Sequence, residues 1–497
     1  MNSSDAQPMD IPPVMPEPQY VGASPPPRWY DPRFSKVVTI LSAIVLSASV
    51  TLVVWFAVDI PKLGRMADPE KALEHMVSRI MDVEEGFRRL PEWEHFFYEV
   101  TMGSDTSERD QAIAWYEELV EVSADPRVDL NLAILMAESG RVQEVTKRIT
   151  EWTGREDPFP LFAHMLQAGY LDDHLPRQSE GELQAHLAEL LPVGWFYDRL
   201  ALRIAEKAGD SSLLTTVRSA ADSRADAIVR RSRIFASIEI AFMIFGGTIL
   251  LYWFHRRGER ELFRVGHAEL PPIWAGKLGA AVLLRGGAIG AVLTLGFLFA
   301  ALDFASLRVL VVPLSNVPLL FLAYVHLLKP QGLTFGEGFG LSLERDKVGN
   351  LVFAVSAVVA AGLLGEWVMG KIAEPLNLSS HWTEWFDADL VWAPLPVMAV
   401  SLVEYVVFAP VFEELAFRGL LFGVLRRRFQ WGPAAVISAA IFAVAHGYGL
   451  IGFISVFWSG VVWAWVYERT GSLLPGMIGH AINNLLVCLS VIALLRS

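Results

Sequence analysis

The chain has 497 residues, 53% of them hydrophobic and 11% aromatic, which is too apolar for a soluble multidomain protein and marks an integral protein of the lipid bilayer. Its formal net charge of -13 argues against nucleic acid as a partner. One cysteine, Cys488, excludes an intrachain disulfide and a thiolate zinc site.

Residues 1–36 hold nine prolines, including Pro25, Pro26 and Pro27, without helical periodicity, so a disordered tail with polyproline II character is expected. Residues 37–58 are apolar over about the length of one bilayer span, and Arg28, Arg33 and Lys36 precede them; an uncleaved anchor is expected. Residues 59–234 carry 33 Asp and Glu against 21 Lys and Arg, at amphipathic helical spacing with turn signals at Ala124-Asp125-Pro126 and Ser139-Gly140. They are expected to form a soluble acidic α-helical domain. Leu132-Ala133 with Ala137-Glu138 recur 68 residues later as Leu200-Ala201 with Ala205-Glu206, twice a tetratricopeptide period. TPR-like repeats and plain helical hairpins both fit this pattern, and either offers a groove for a protein partner. Trp93, Phe96, Phe97 and Tyr98 are a candidate for that surface or for the domain core.

Residues 235–254 form a second expected span, followed by His255, Arg256, Arg257, Arg260 and Arg264, which the positive-inside rule places in the cytoplasm. The N-terminus is then cytoplasmic and residues 59–234 lie outside, with the cell membrane as the expected location. Residues 255–349 contribute further spans and connecting segments, with 336–343 as an interfacial or short amphipathic segment, and residues 350–497 complete a polytopic all-α bundle of about nine spans. Alternating the spans puts the acidic loop from Glu374 to Asp389 outside, where Trp382, Trp385 and Trp392 read as an interfacial aromatic belt. Glu239, Arg285, Asp303 and Glu366 lie in or beside apolar runs and read as interfacial or paired, while Glu404 reads as lining a polar cavity.

The last stretch holds the chemistry. Glu413 and Glu414 stand side by side in an apolar segment, where an ionised group costs roughly 2.5 to 3.5 kcal/mol. Glu414 and Arg418 are spaced i,i+4 for an ion pair on one helix face; Glu413 points about 100° away and is left uncommitted, as suits a general base. Phe442 with His446 and His480 with Asn484 repeat the four-residue spacing on two later apolar helices. The competing structural reading, a network of polar side chains bonding across helices, leaves Glu413 unexplained.

The order EExxxR, FxxxH, HxxxN, with Pro410 before the carboxylates and the run Phe417-Arg418-Gly419 after them, resembles the CPBP intramembrane proteases, also called the ABI, CAAX prenyl protease 2 or Rce1-like family. The resemblance covers roughly residues 351–495. It implies that Glu413 with His446 activates a water, that His480 with Asn484 donates to the oxyanion, and that Glu414, Arg418 and Phe442 hold the site in register. It further implies an endopeptidase acting on a membrane-associated protein or peptide. Two histidines and a glutamate fit a zinc set, but HExxH is missing from the sequence, and no metal or other cofactor is the favoured reading. The alternative is a non-catalytic membrane scaffold, receptor or immunity-type protein whose helical domain does the binding.

Overall fold

Among the described residues every regular element is helical, as the 3.6-residue apolar periodicity predicts. The computed structural model describes residues 34–59, 63, 66–96, 105–256, 258–259, 263–299, 309–376 and 378–496. The proline-rich tail up to residue 33 lies outside the described residues, as do Phe97, Tyr98, Arg257, Arg260 and Asp303.

Helix α1 (Lys36–Asp59) precedes a helical domain made of α2 (Pro69–Phe87), α3 (Asp105–Val122), α4 (Pro126–Glu138), α5 (Val142–Trp152), α6 (Phe159–Leu166), α7 (Arg177–Leu190) and α8 (Trp195–Ala208). The turn residues act where expected. Asp125 accepts the Arg127 N–H at 2.9 Å and Pro126 opens α4, while Gly140 takes a φ of +77° after that helix ends. The two similar stretches lie on α4 and α8, which pack together, and Arg203 Nε sits 2.9 Å from Glu138 Oε1 between them. Leu132, Ala133, Leu200, Ala201 and Ala205 are fully buried there, which explains their common small and apolar character.

The junction expected at residue 234 falls inside one continuous helix, α9 (Ser211–His255). Its 45 residues span about 68 Å, so a single rod serves both the helical domain and the apolar bundle. The bundle continues with α10 (Gly276–Phe299), α11 (Val311–Ala323), α12 (Val348–Ala373), α13 (Leu395–Arg426, with two π-helical stretches), α14 (Trp431–His446), α15 (Leu450–Thr470) and α16 (Leu474–Leu495).

Among the described residues seven helices are long and apolar enough to cross a membrane, while α1, over Lys36–Leu52, and α14 are shorter apolar helices. Small residues set the close contacts: a Cβ on Gly246 of α9 would lie 2.1 Å from the Ser356 carbonyl oxygen of α12, and one on Gly290 of α10 would lie 2.5 Å from the Ser315 carbonyl oxygen of α11. Arg285 is paired, donating to Ser35 O at 2.9 Å and Thr39 Oγ1 at 3.1 Å, and Glu366 accepts from Ser455 Oγ at 3.3 Å. Segment 336–343 is tied to the bundle: its Phe339 carbonyl accepts from Leu473 and its Gly340 carbonyl from Ser472 Oγ, at 3.1 and 2.5 Å.

The aromatic belt is corrected by the fold. Trp382 is fully buried and Phe386 nearly so, and both join the apolar core of the helical domain. Trp392 is covered by Lys71, whose Nζ stands 4.6 Å above the ring. The domain docks on this segment and on the end of α16, where His75 Nε2 is 2.6 Å from Leu495 O and Arg231 Nη1 donates to Ala493 O at 3.2 Å. These tryptophans serve the docking surface because α9 carries the domain directly over it.

Candidate active site

Helix α13 is unusual in its backbone. Glu404–Phe408 and Glu414–Phe422 are π-helical, a widening that recurs at functional sites. The first π turn follows from Pro410. The Ala409 N–H bonds to Glu404 O, five residues back, and Pro410 has no N–H to offer Tyr405 O in the same pattern. Asn484 of α16 supplies the missing donor, with Nδ2 2.8 Å from Tyr405 O. One of its two N–H bonds is thereby committed.

The two carboxylates have different surroundings. Glu414 and Arg418 are both fully buried, with Arg418 Nη1 2.8 Å from Glu414 Oε1. The guanidinium also faces the rings of Phe442 at 4.1 Å and Trp463 at 4.9 Å, which shield its charge from the apolar interior. Gly460 of α15 makes room for it, since a Cβ there would lie 3.0 Å from Arg418 Nη2. Glu413, by contrast, keeps 23% of its side chain exposed.

His480 of α16 reaches both. Its Nδ1 lies 3.2 Å from Glu414 Oε1 and its Nε2 lies 3.9 Å from Glu413 Oε2. Because Glu414 is ion-paired and accepts only, Nδ1 carries a proton and donates it. Trp463 fixes the ring by stacking on it at 3.9 Å and 18°. His446, at the end of α14, holds its Nδ1 2.8 Å from Phe442 O, which orients Nε2 as the free ring nitrogen. It lies within electrostatic reach of Glu413 and His480, and among the described residues it makes no direct hydrogen bond to either.

Glu413, Glu414, Arg418, Phe442, His446 and His480 thus meet in one place, and Phe442 is the hub, 4.6 Å from the His446 ring and 6.2 Å from the His480 ring. Asn484 stands one turn beyond His480 and faces the α13 backbone rather than the carboxylates. Glu404 opens the first π turn. Among the described residues no three His, Cys, Asp or Glu groups converge as a metal-binding set.

Four residues here escape sequence reasoning: Trp463, Tyr405, Tyr448 and Glu384. Trp463 looks like any core aromatic at helical spacing. Tyr405 had no sequence signal, because Pro410 leaves its carbonyl without a donor only in the π-helical register that the structure shows. Tyr448, its ring 5.7 Å from His446, and Glu384, on a distant loop, had none.

Residues 395–486 match the model of a family described as type II CAAX prenyl endopeptidase, Rce1-like. The match covers less than a fifth of the chain and contains every site residue named above except Glu384. No curated protein and no solved structure matches the chain.

Proposed function

Taking the Rce1-like domain at residues 395–486 as premise, we propose that this integral membrane protein is an intramembrane endopeptidase that cleaves a membrane-associated protein with water, using neither a covalent nucleophile nor a metal. One observation carries the reading. Of two adjacent carboxylates, Glu414 is spent on Arg418 and His480, while Glu413 is partly open and has His480 Nε2 3.9 Å away. A structural network needs the first carboxylate and gains nothing from the second.

In this mechanism Glu413 takes a proton from water as the oxygen attacks the peptide carbonyl carbon. The free Nε2 of His446 accepts a hydrogen bond from the other hydrogen of that water and so orients it for attack. The oxyanion is met by the second Asn484 N–H and by His480 Nε2 when that atom is protonated. Collapse of the tetrahedral adduct breaks the C–N bond, and the proton held by Glu413 passes to the leaving amine. Glu414, with both Arg418 and His480 in place, holds the constellation rigid.

The topology that goes with this reading has the N-terminus in the cytoplasm and the helical domain outside. The domain's contact with the acidic loop, through Glu118 and His381 at 3.1 Å, supports the alternation of spans that puts both on one side, and the positive-inside rule is what assigns that side to the outside.

The test is cleavage of membrane-anchored fluorogenic peptides, prenylated and unprenylated, by the purified chain in liposomes. Glu413→Gln should abolish cleavage, and a strong chelator should leave the wild type active. Full activity in Glu413→Gln overturns the mechanism, and chelator inactivation reversed by zinc replaces it with a metalloprotease.

A further inference from the structure

The helical domain and the site meet in the segment 381–392, which has two working edges. On the domain side, His381 Nε2 lies 3.1 Å from Glu118 Oε2 of α3, and Trp382 and Phe386 are buried in the domain core. On the site side, Glu384 Oε1 accepts the Gly449 N–H at 3.1 Å. Gly449 is the N-cap of α15 and follows His446 by three residues, so this carboxylate ties down the turn that ends the His446 helix. Asp387 Oδ2 accepts the Tyr405 hydroxyl at 2.6 Å, and the carbonyl of the same Tyr405 holds Asn484. Asp387 also fixes its own turn, its Oδ1 accepting Leu390 N–H at 2.9 Å.

We propose that Glu384 and Asp387 are positioning residues through which the helical domain controls the protease: the domain grips the segment, and the segment holds the His446 turn and the Tyr405–Asn484 contact. The inference rests on the endopeptidase reading above. A plain tether between domain and bundle would leave its acidic side chains in water. Here two carboxylates of one short segment are instead directed at the backbone turn beside His446 and at the residue whose carbonyl anchors Asn484, as charge-assisted bonds of high directional strength.

The test uses the full-length chain in liposomes, with turnover and amide hydrogen exchange read in parallel. Glu384→Ala removes the acceptor for Gly449, whereas Glu384→Gln keeps an oxygen in its place. Tyr405→Phe removes the hydroxyl bonded to Asp387, and Glu118→Ala with Trp382→Ala loosens the domain's grip. Glu384→Ala and Tyr405→Phe should lower kcat roughly tenfold to a hundredfold, as small misplacements of reacting groups do, with KM and thermal midpoint near wild type. Glu384→Gln should recover most of the loss. Amide exchange across residues 446–452 should rise in Glu384→Ala and in the Glu118→Ala/Trp382→Ala chain. Unchanged exchange there overturns the coupling whether or not substrate is cleaved, and so does a change confined to KM. Raised exchange in a chain whose wild type cleaves nothing supports the coupling and overturns the endopeptidase reading instead.

Discussion

Asn484 donates its side-chain amide to the carbonyl of Tyr405 at 2.8 Å, and that carbonyl is open because Pro410, five residues later, has no N–H. A proline in one motif thus determines what an asparagine in another motif, 74 residues away, is bonded to.

The double role of Asn484 can be separated. Asn484→Ala should lower turnover roughly 10²- to 10³-fold, the usual effect of losing one oxyanion donor, and should cost about 1 kcal/mol of stability for the lost bond to Tyr405. Adding Pro410→Ala restores an N–H to α13. The double variant should regain thermal midpoint without regaining kcat, measured by thermal unfolding and peptide cleavage.

The two adjacent glutamates should fail differently. Glu413→Gln should lose activity at wild-type abundance and melting temperature. Glu414→Gln leaves Arg418 buried beside a neutral partner, and breaking such a pair costs about 3 kcal/mol or more. Its abundance and melting temperature should therefore fall together with activity, as quantified by size-exclusion yield and thermal unfolding.

The α9–α12 contact should be intolerant of a single methyl group. Gly246→Ala drives a Cβ to 2.1 Å from the Ser356 carbonyl oxygen, a backbone atom that cannot turn aside, whereas Gly247 has nothing within 4 Å of its Cβ position. Gly246→Ala should lower the melting temperature in detergent, and Gly247→Ala should leave it unchanged.

The helical domain should lose stability as pH rises. Burial pushes Glu74 of α2 up to about 7 from 4.5, with Arg127 opposing the shift and Asp125 adding to it. Between those values the folded chain keeps a proton that the unfolded chain has released, so this group's contribution is complete below 4.5 and is lost as pH passes through about 7. Glu74→Gln should raise the melting temperature relative to wild type at pH 8 and leave it unchanged at pH 4.

Local chemistry made a large part of this molecule legible. Apolar runs of about twenty residues announce membrane helices whatever surrounds them, and the acidic amphipathic stretch announces a helical domain. The i,i+4 spacing is a property of one helix, so the Glu414–Arg418 pair could be read from Glu414 and Arg418 alone. The spacing of Phe442 and His446 likewise placed both on one face, and their rings are 4.6 Å apart.

Only the tertiary structure decided what those faces meet. His480 and Glu414 are 66 residues apart and touch because α13 and α16 pack together; Trp463 comes from a third helix to stack on the same ring. Trp382 read as a membrane-interface residue because its own neighbours are acidic and aromatic, yet it is buried by a domain that α9 swings over it from more than a hundred residues earlier in the chain. Glu384 showed no local signal at all, because its partner, the Gly449 N–H, lies 65 residues later in the chain. Periodicity fixes which side chains share a helix face, while partners across faces depend on where small residues let backbones approach, a property of the assembled bundle and not of any one segment.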